Sequence, residues 1–239
     1  MKPVSFKSVN LTLHGVLSLP PKYSTGVLFL HGGGQSNTSR YLYLQHEFAN
    51  HSLASLAFDF RGCGQSQGRF EEGSLSNRLL DAQAALDFFI LRSNLPTSSI
   101  YLWGSSMGGH LACRLTEQYP DLKGLILQSA AAYSAAAEPL LLNAQFTQAI
   151  SVPNSWLYSP AFTALEAFTG NTLVIYGEHD IVVPPNIQTR YASIALAHGG
   201  QSVTLPSATH TQLRPQTPTE ISALEQLTQI ATEFILHNH

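Results

Sequence analysis

The chain has 239 residues, 44% of them hydrophobic and 11% charged, with 12 Lys and Arg against 15 Asp and Glu for a net charge of −3. This balance excludes an intrinsically disordered chain, which needs low hydrophobicity and high charge. The lack of a basic stripe argues against nucleic acid as a partner. No apolar run reaches the ~18 residues of a transmembrane helix, the N-terminus lacks a signal-peptide core, and Cys63 and Cys113 are too few for a disulfide framework. The expectation is a single cytoplasmic domain spanning residues 1–239.

In chain order, Leu11, Leu13, Leu17 and Leu19 alternate with Thr12, His14 and Ser18, the period of a half-buried antiparallel strand, and residues 4–9 are its hairpin partner. The pattern then changes to short runs apolar on both faces, at residues 27–30, 55–60, 100–103, 125–128, 173–176 and 202–205. Strands covered on both sides belong to a parallel sheet. Helical spacing lies between them: Leu75, Leu79, Ala82, Leu86 and Phe89 share a face, as do Ile221, Leu224, Leu227, Ile230 and Phe234. The last of these helices opens with a capping box, Thr217-Pro218-Thr219-Glu220, and the helix after Pro185 stops at Gly199-Gly200. The fold class is α/β: a mostly parallel sheet with an N-terminal antiparallel hairpin and helices on both faces.

Residues 130–169 break the rhythm. A crossover needs only ~10–20 residues, so this longer stretch is read as a small cap insertion. Its aromatic set, Trp156, Tyr158, Phe162 and Phe168, is expected to pack the insertion onto the body.

Gly104-Ser105-Ser106-Met107-Gly108 matches G-x-S-x-G between an apolar strand and a helical stretch, the context that a nucleophile elbow requires. The turn pushes the Ser106 hydroxyl out at the C-terminal edge of the sheet and aims the Met107 N–H at the same point. With this motif the sequence resembles the α/β-hydrolase family over nearly its whole length. His31-Gly32-Gly33-Gly34 is similar to the family's oxyanion loop, and also to the HGGG motif of some esterases. Asp59-Phe60-Arg61-Gly62-Cys63-Gly64-Gln65-Ser66 resembles the D-x-R-G-x-G-x-S loop of the branch that holds serine aminopeptidases and monoacylglycerol-lipase-like enzymes. Residues 176–184 resemble the acid loop G-x-x-D-x-x-V-P.

The resemblance implies the chain order nucleophile, acid, histidine, which here gives Ser106, Asp180 and His210. Both later residues follow predicted strands at the sheet edge of Ser106. Backbone N–H groups of Met107 and Gly33, with Gly34 close behind, are the expected oxyanion donors. Glu178 is the alternative acid. His179, His110 and His31 are read as a surface, a packing and a loop-organising residue. Gly62, Gly64 and Gly68 miss G-x-G-x-x-G spacing, Cys63 has no paired base, and no histidine spacing suits a metal, so neither cofactor nor metal is expected. The function implied is a serine hydrolase cleaving an ester or thioester of a small to medium apolar acyl group. An amidase or aminopeptidase, a non-catalytic ligand-binding protein, and perhydrolysis or C–C cleavage by the same residues are the alternatives. Oligomeric state has no signal in the sequence.

Overall fold

The computed structural model describes residues 1–34, 36–210 and 217–238. Eight strands form one sheet: β1 (Lys2–Ser8), β2 (Leu11–Ser18), β3 (Thr25–Leu30), β4 (Leu53–Phe58), β5 (Ile100–Ser105), β6 (Gly124–Gln128), β7 (Asn171–Gly177) and β8 (Gln201–Leu205). Their spatial order is β1-β2-β4-β3-β5-β6-β7-β8. The hairpin β1–β2 joins β4 antiparallel, and every pairing from β4 to β8 is parallel.

Side-chain alternation divides the core into two layers. Leu28 and Leu30 of β3 and Ile100 and Leu102 of β5 face one side, where α2 (Leu75–Ser93), α3 (Met107–Leu115), α5 (Pro160–Ala167) and α6 (Pro185–Ala197) pack. Val27, Phe29, Tyr101 and Trp103 face the other, against α1 (Leu42–Asn50) and α7 (Pro218–His237). The short α4 (Ala144–Ser151) completes the α-helices of the described residues. The capping box on α7 is present, and Gly199 ends α6 at φ 77°.

Two elements differ from expectation. The sequence reading leaves out α1, although Leu44 and Phe48 fall at helical spacing with Tyr41 just before it; the rings of Tyr41 and Phe48 stack on Phe29, and Leu44 is buried in the same cluster. β8 is not covered on both faces: it is the sheet edge, and Gln201, Ser202 and Thr204 are exposed, the polar character that suits an unpaired edge.

Residues 130–169 leave the end of β6 and return at β7. They hold α4 and α5, and α5 lies against α3 and α6 through an edge-on contact of Phe162 with Tyr191 at 4.8 Å. Phe162 and Phe168 are buried and Trp156 partly so, but Tyr158 points outward at 88% exposure, so the aromatic set does not pack as one unit.

The loop after β4 is tied to α2 by a buried carboxylate. Arg61 grips Asp81 of α2 with its backbone N–H (3.1 Å), Nε (2.9 Å) and Nη2 (2.7 Å), and Ser8 Oγ donates to the same carboxylate at 2.6 Å. Asp81 is fully buried. Breaking such a pair strands a buried charge, so Asp81→Ala should cost on the order of 3–5 kcal/mol in urea unfolding; a loss under about 1 kcal/mol would show that the pair does not hold the loop.

Candidate active site

The turn between β5 and α3 places Ser106 at φ 52°, ψ −117°, a region that a side chain tolerates only when its surroundings enforce it. The neighbours explain the enforcement. A side-chain carbon on Gly104 would meet Gly108 O at 2.5 Å, and one on Gly108 would collide with Leu30 O of β3. Only glycine lets α3 approach the sheet this closely. Ser106 N–H donates to Gln128 O (3.0 Å), and Ser106 O accepts from Gly109 N–H (2.9 Å) and Ala131 N–H (3.0 Å).

Asp180 follows β7 and His210 follows β8, and the structure brings both to Ser106. Ser106 Oγ lies 3.1 Å from His210 Nε2, and His210 Nδ1 lies 2.9 Å from Asp180 Oδ2 and 3.1 Å from Oδ1. Burial works to raise the Asp180 pKa. The hydrogen bond and charge of His210, the Val183 N–H and the Ser129 side chain outweigh it, and the carboxyl is held below its ordinary value. An ionised Asp180 only accepts hydrogen bonds. His210 Nδ1 therefore carries the proton of the neutral ring, and Nε2 is left to accept from the Ser106 hydroxyl.

Glu178, the alternative acid, points elsewhere. It is about half exposed and accepts from Ser207 N–H at 2.8 Å, bracing the turn that leads to His210. His179 is exposed. His110 is buried between Glu138 (3.0 Å), Ser159 Oγ (3.4 Å) and Tyr133 N–H (3.3 Å).

The glycine loop after β3 lies directly on the elbow. A side-chain carbon on Gly32 would sit 3.2 Å from Ser106 Cβ, and one on Gly33 3.1 Å from Met107 Cε; one on Gly34 would meet nothing within 4 Å. Gly33 thus flanks Met107, the first residue of α3, whose N–H belongs to the unpartnered first turn of that helix. His31 sets the loop. Its Nε2 accepts from Phe60 N–H (3.1 Å), so its Nδ1 donates to Gly32 O (2.7 Å). Burial, helped by the Arg78 and Arg40 charges and opposed by the Gly32 carbonyl, pushes its pKa down to about 3. The Asp59 loop supports the other flank. Asp59 accepts from Thr38 N–H (2.7 Å) and Gln65 N–H (3.0 Å), and Ser66 Oγ links Asp59 O to His14 N–H.

Three residues here are absent from the sequence reading. Arg78 of α2 is fully buried behind the glycine loop. Arg40 and Tyr41, from the turn before α1, line a recess of about 20 Å³ at Ser106 with Gly32, Ser36, Ser105, Gln128 and His210. Tyr41 continues the helical spacing of Leu44 and Phe48 one turn back; nothing local in the sequence marks the two arginines. Cys63 and Cys113 are unpaired and buried. Among the described residues no group of His, Cys, Asp and Glu could hold a metal ion, and no helix is long and apolar enough to cross a membrane.

The sheet order, the elbow and the loops define an α/β hydrolase. Est1E from Butyrivibrio proteoclasticus, solved with ferulic acid, matches over 98% of both chains with a TM-score of 0.74 at 20% identity. A monoacylglycerol lipase from Paleococcus ferrophilus matches over 95% of this chain and 99% of its own, with a TM-score of 0.72 at 18% identity. In sequence, protein phosphatase methylesterase 1 of Candida albicans is 33% identical over 110 residues, which are 45% of this chain and 30% of that protein. The chain spans about half or less of the length of the curated relatives it matches. The profile of the serine aminopeptidase S33 family matches residues 22–162, more than half of the chain, and the chain belongs to that family.

His31 has a pH consequence. Between about pH 6.5 and 3 the unfolded chain binds a proton at His31 that the folded chain does not. Stability is therefore lost as pH falls through that window, by up to about 1.4 kcal/mol per pH unit. Urea unfolding at pH 7 and pH 4.5 should show a larger loss for the wild type than for His31→Gln, and equal losses would contradict the assignment.

Proposed function

We propose that this chain is a serine hydrolase that cleaves a carboxylic ester or thioester through an acyl-enzyme on Ser106. The observation that carries the reading is the hydrogen-bonded line from Ser106 Oγ through His210 to Asp180. Ser106 Oγ adds to the acyl carbon while its proton passes to His210 Nε2. Asp180 keeps the imidazole in the tautomer that can accept it and stabilises the cation that forms. The N–H groups of Met107 and Gly33 take the charge developing on the carbonyl oxygen. The leaving alcohol or thiol receives the proton from His210, and water repeats the sequence to release the acid.

An ester is favoured over an aminopeptidase substrate by the charge at the recess. Arg40 brings a cation to the lining of the recess, and like charge disfavours the free ammonium group of an aminopeptidase substrate there. The methylesterase and the lipase among the similar proteins are named for ester cleavage; the family name keeps the amide as the second reading.

Residues 130–169 act as a small cap. Leu142 and Phe146 are buried in the same apolar layer as Met107, and the recess at Ser106 has room for about one water-sized group. This supports short acyl groups rather than long ones. A cytoplasmic setting suits the two unpaired thiols.

With p-nitrophenyl esters, Ser106→Ala should lose about 10³-fold or more of kcat and stay folded. Asp180→Asn should lose most activity while Glu178→Gln keeps it; the reverse pattern would make Glu178 the acid. Across a chain-length series, each buried methylene should add about 0.8 kcal/mol of transition-state binding until the space is full. The maximum of kcat/KM should fall within the first few carbons, and a preference above about twelve carbons would refute the short-acyl reading.

A further inference from the structure

Arg78 is a buried cation without an acid of its own. Its Nη1 donates to Gly32 O at 3.4 Å and lies 3.6 Å from Met107 Sδ, and its Nη2 lies 3.2 Å from Cys63 Sγ. Nε has no hydrogen-bond partner among the described residues. The guanidinium lies over the rings of Phe60 and Phe70, 5.0 and 5.1 Å from their centroids. The carboxylate one helical turn away, Asp81, is occupied by Arg61 and Ser8. Ring faces compensate a buried charge only in part, and a charge kept unpaired inside a protein is costly. Its position suggests what compensates it.

The peptide between Gly32 and Gly33 is the link. In a trans peptide the C=O and the following N–H point in opposite directions. His31 Nδ1–H, at 2.7 Å, and Arg78 both hold the Gly32 carbonyl. That hold turns the Gly33 N–H away from them, and a cation on the carbonyl polarises the peptide and makes its N–H a stronger donor. We propose that Arg78 is a positioning residue for the oxyanion: it fixes and polarises the Gly32–Gly33 peptide, and its charge is balanced when negative charge develops on the substrate oxygen. The proposal rests on the reading of Ser106 as the nucleophile with Gly33 as an oxyanion donor.

The test compares Arg78→Met, Arg78→Gln and Arg78→Lys in ester hydrolysis, in affinity for a trifluoromethyl ketone whose serine adduct carries an oxyanion, and in thermal unfolding. In Arg78→Met, kcat should fall on the order of 10-fold or more with KM changed by less than about twofold. Affinity for the ketone should fall in step with kcat. The unfolding midpoint should hold or rise, because an apolar side chain replaces an unpaired buried charge. Arg78→Lys should keep most of the rate, and Arg78→Gln should not. If Arg78→Met does not fold, the Lys and Gln variants decide by the same comparison. Unchanged kcat, or a loss that follows KM or falls equally on Lys and Gln, overturns the role of Arg78. The wild type and Ser106→Ala run alongside. Equal turnover by those two removes the nucleophile reading itself, whereas an active wild type and a dead Ser106→Ala leave any failure with Arg78 alone.

Discussion

The strained turn at Ser106 is held by the close approach of three backbones, and the geometry of the site depends on it. β3, β5 and α3 meet where Gly104 and Gly108 leave no room for a side chain. A side chain at either position would push α3 off the sheet, and the Met107 N–H would move with it. The positive φ of Ser106 is sustained by bonds to β6 and to the start of the 130–169 segment. The strain is stored locally and offset by packing spread across the sheet.

Around this turn, each loop of the site is braced by a charge or polar group that does not touch Ser106. Asp59 gathers backbone N–H groups from the segment after the glycine loop and from its own loop. Arg61 and Asp81 fix that loop to α2, and Glu178 holds the turn before His210. His31 ties the glycine loop to Phe60. Loops at the end of a parallel sheet are free to vary in conformation; these hydrogen bonds are what give them one arrangement. An oxyanion site of the proposed kind needs donors held in place before charge develops, and the bracing supplies that fixity.

Much of this was legible in the residues. The inner strands β3, β5, β6 and β7 read as apolar runs because both their faces are covered. Motif and chain order point to Ser106, Asp180 and His210, and the three lie within hydrogen-bond reach in a line. What was not legible is long-range. Periodicity reports which face of an element is apolar, not what lies against it, so β8 read like an inner strand although it is the edge. α1 has a weak signature because its inner face carries the polar Gln45 between Leu44 and Phe48. Three consecutive glycines could not show which one flanks Met107; that depends on how His31 bonds across to Phe60. Arg78 and Arg40 gave no signal, since the positions of their charges are set by tertiary contacts alone.

The proposed chemistry requires Ser106 to be the group that becomes acylated. Treating the intact chain with a fluorophosphonate and mapping the adduct by mass spectrometry tests it directly. A single adduct is expected on the peptide carrying Ser106, formed slowly in Asp180→Asn and not at all in Ser106→Ala. An adduct on another residue, or ester turnover that persists with Ser106 unmodified, would contradict it.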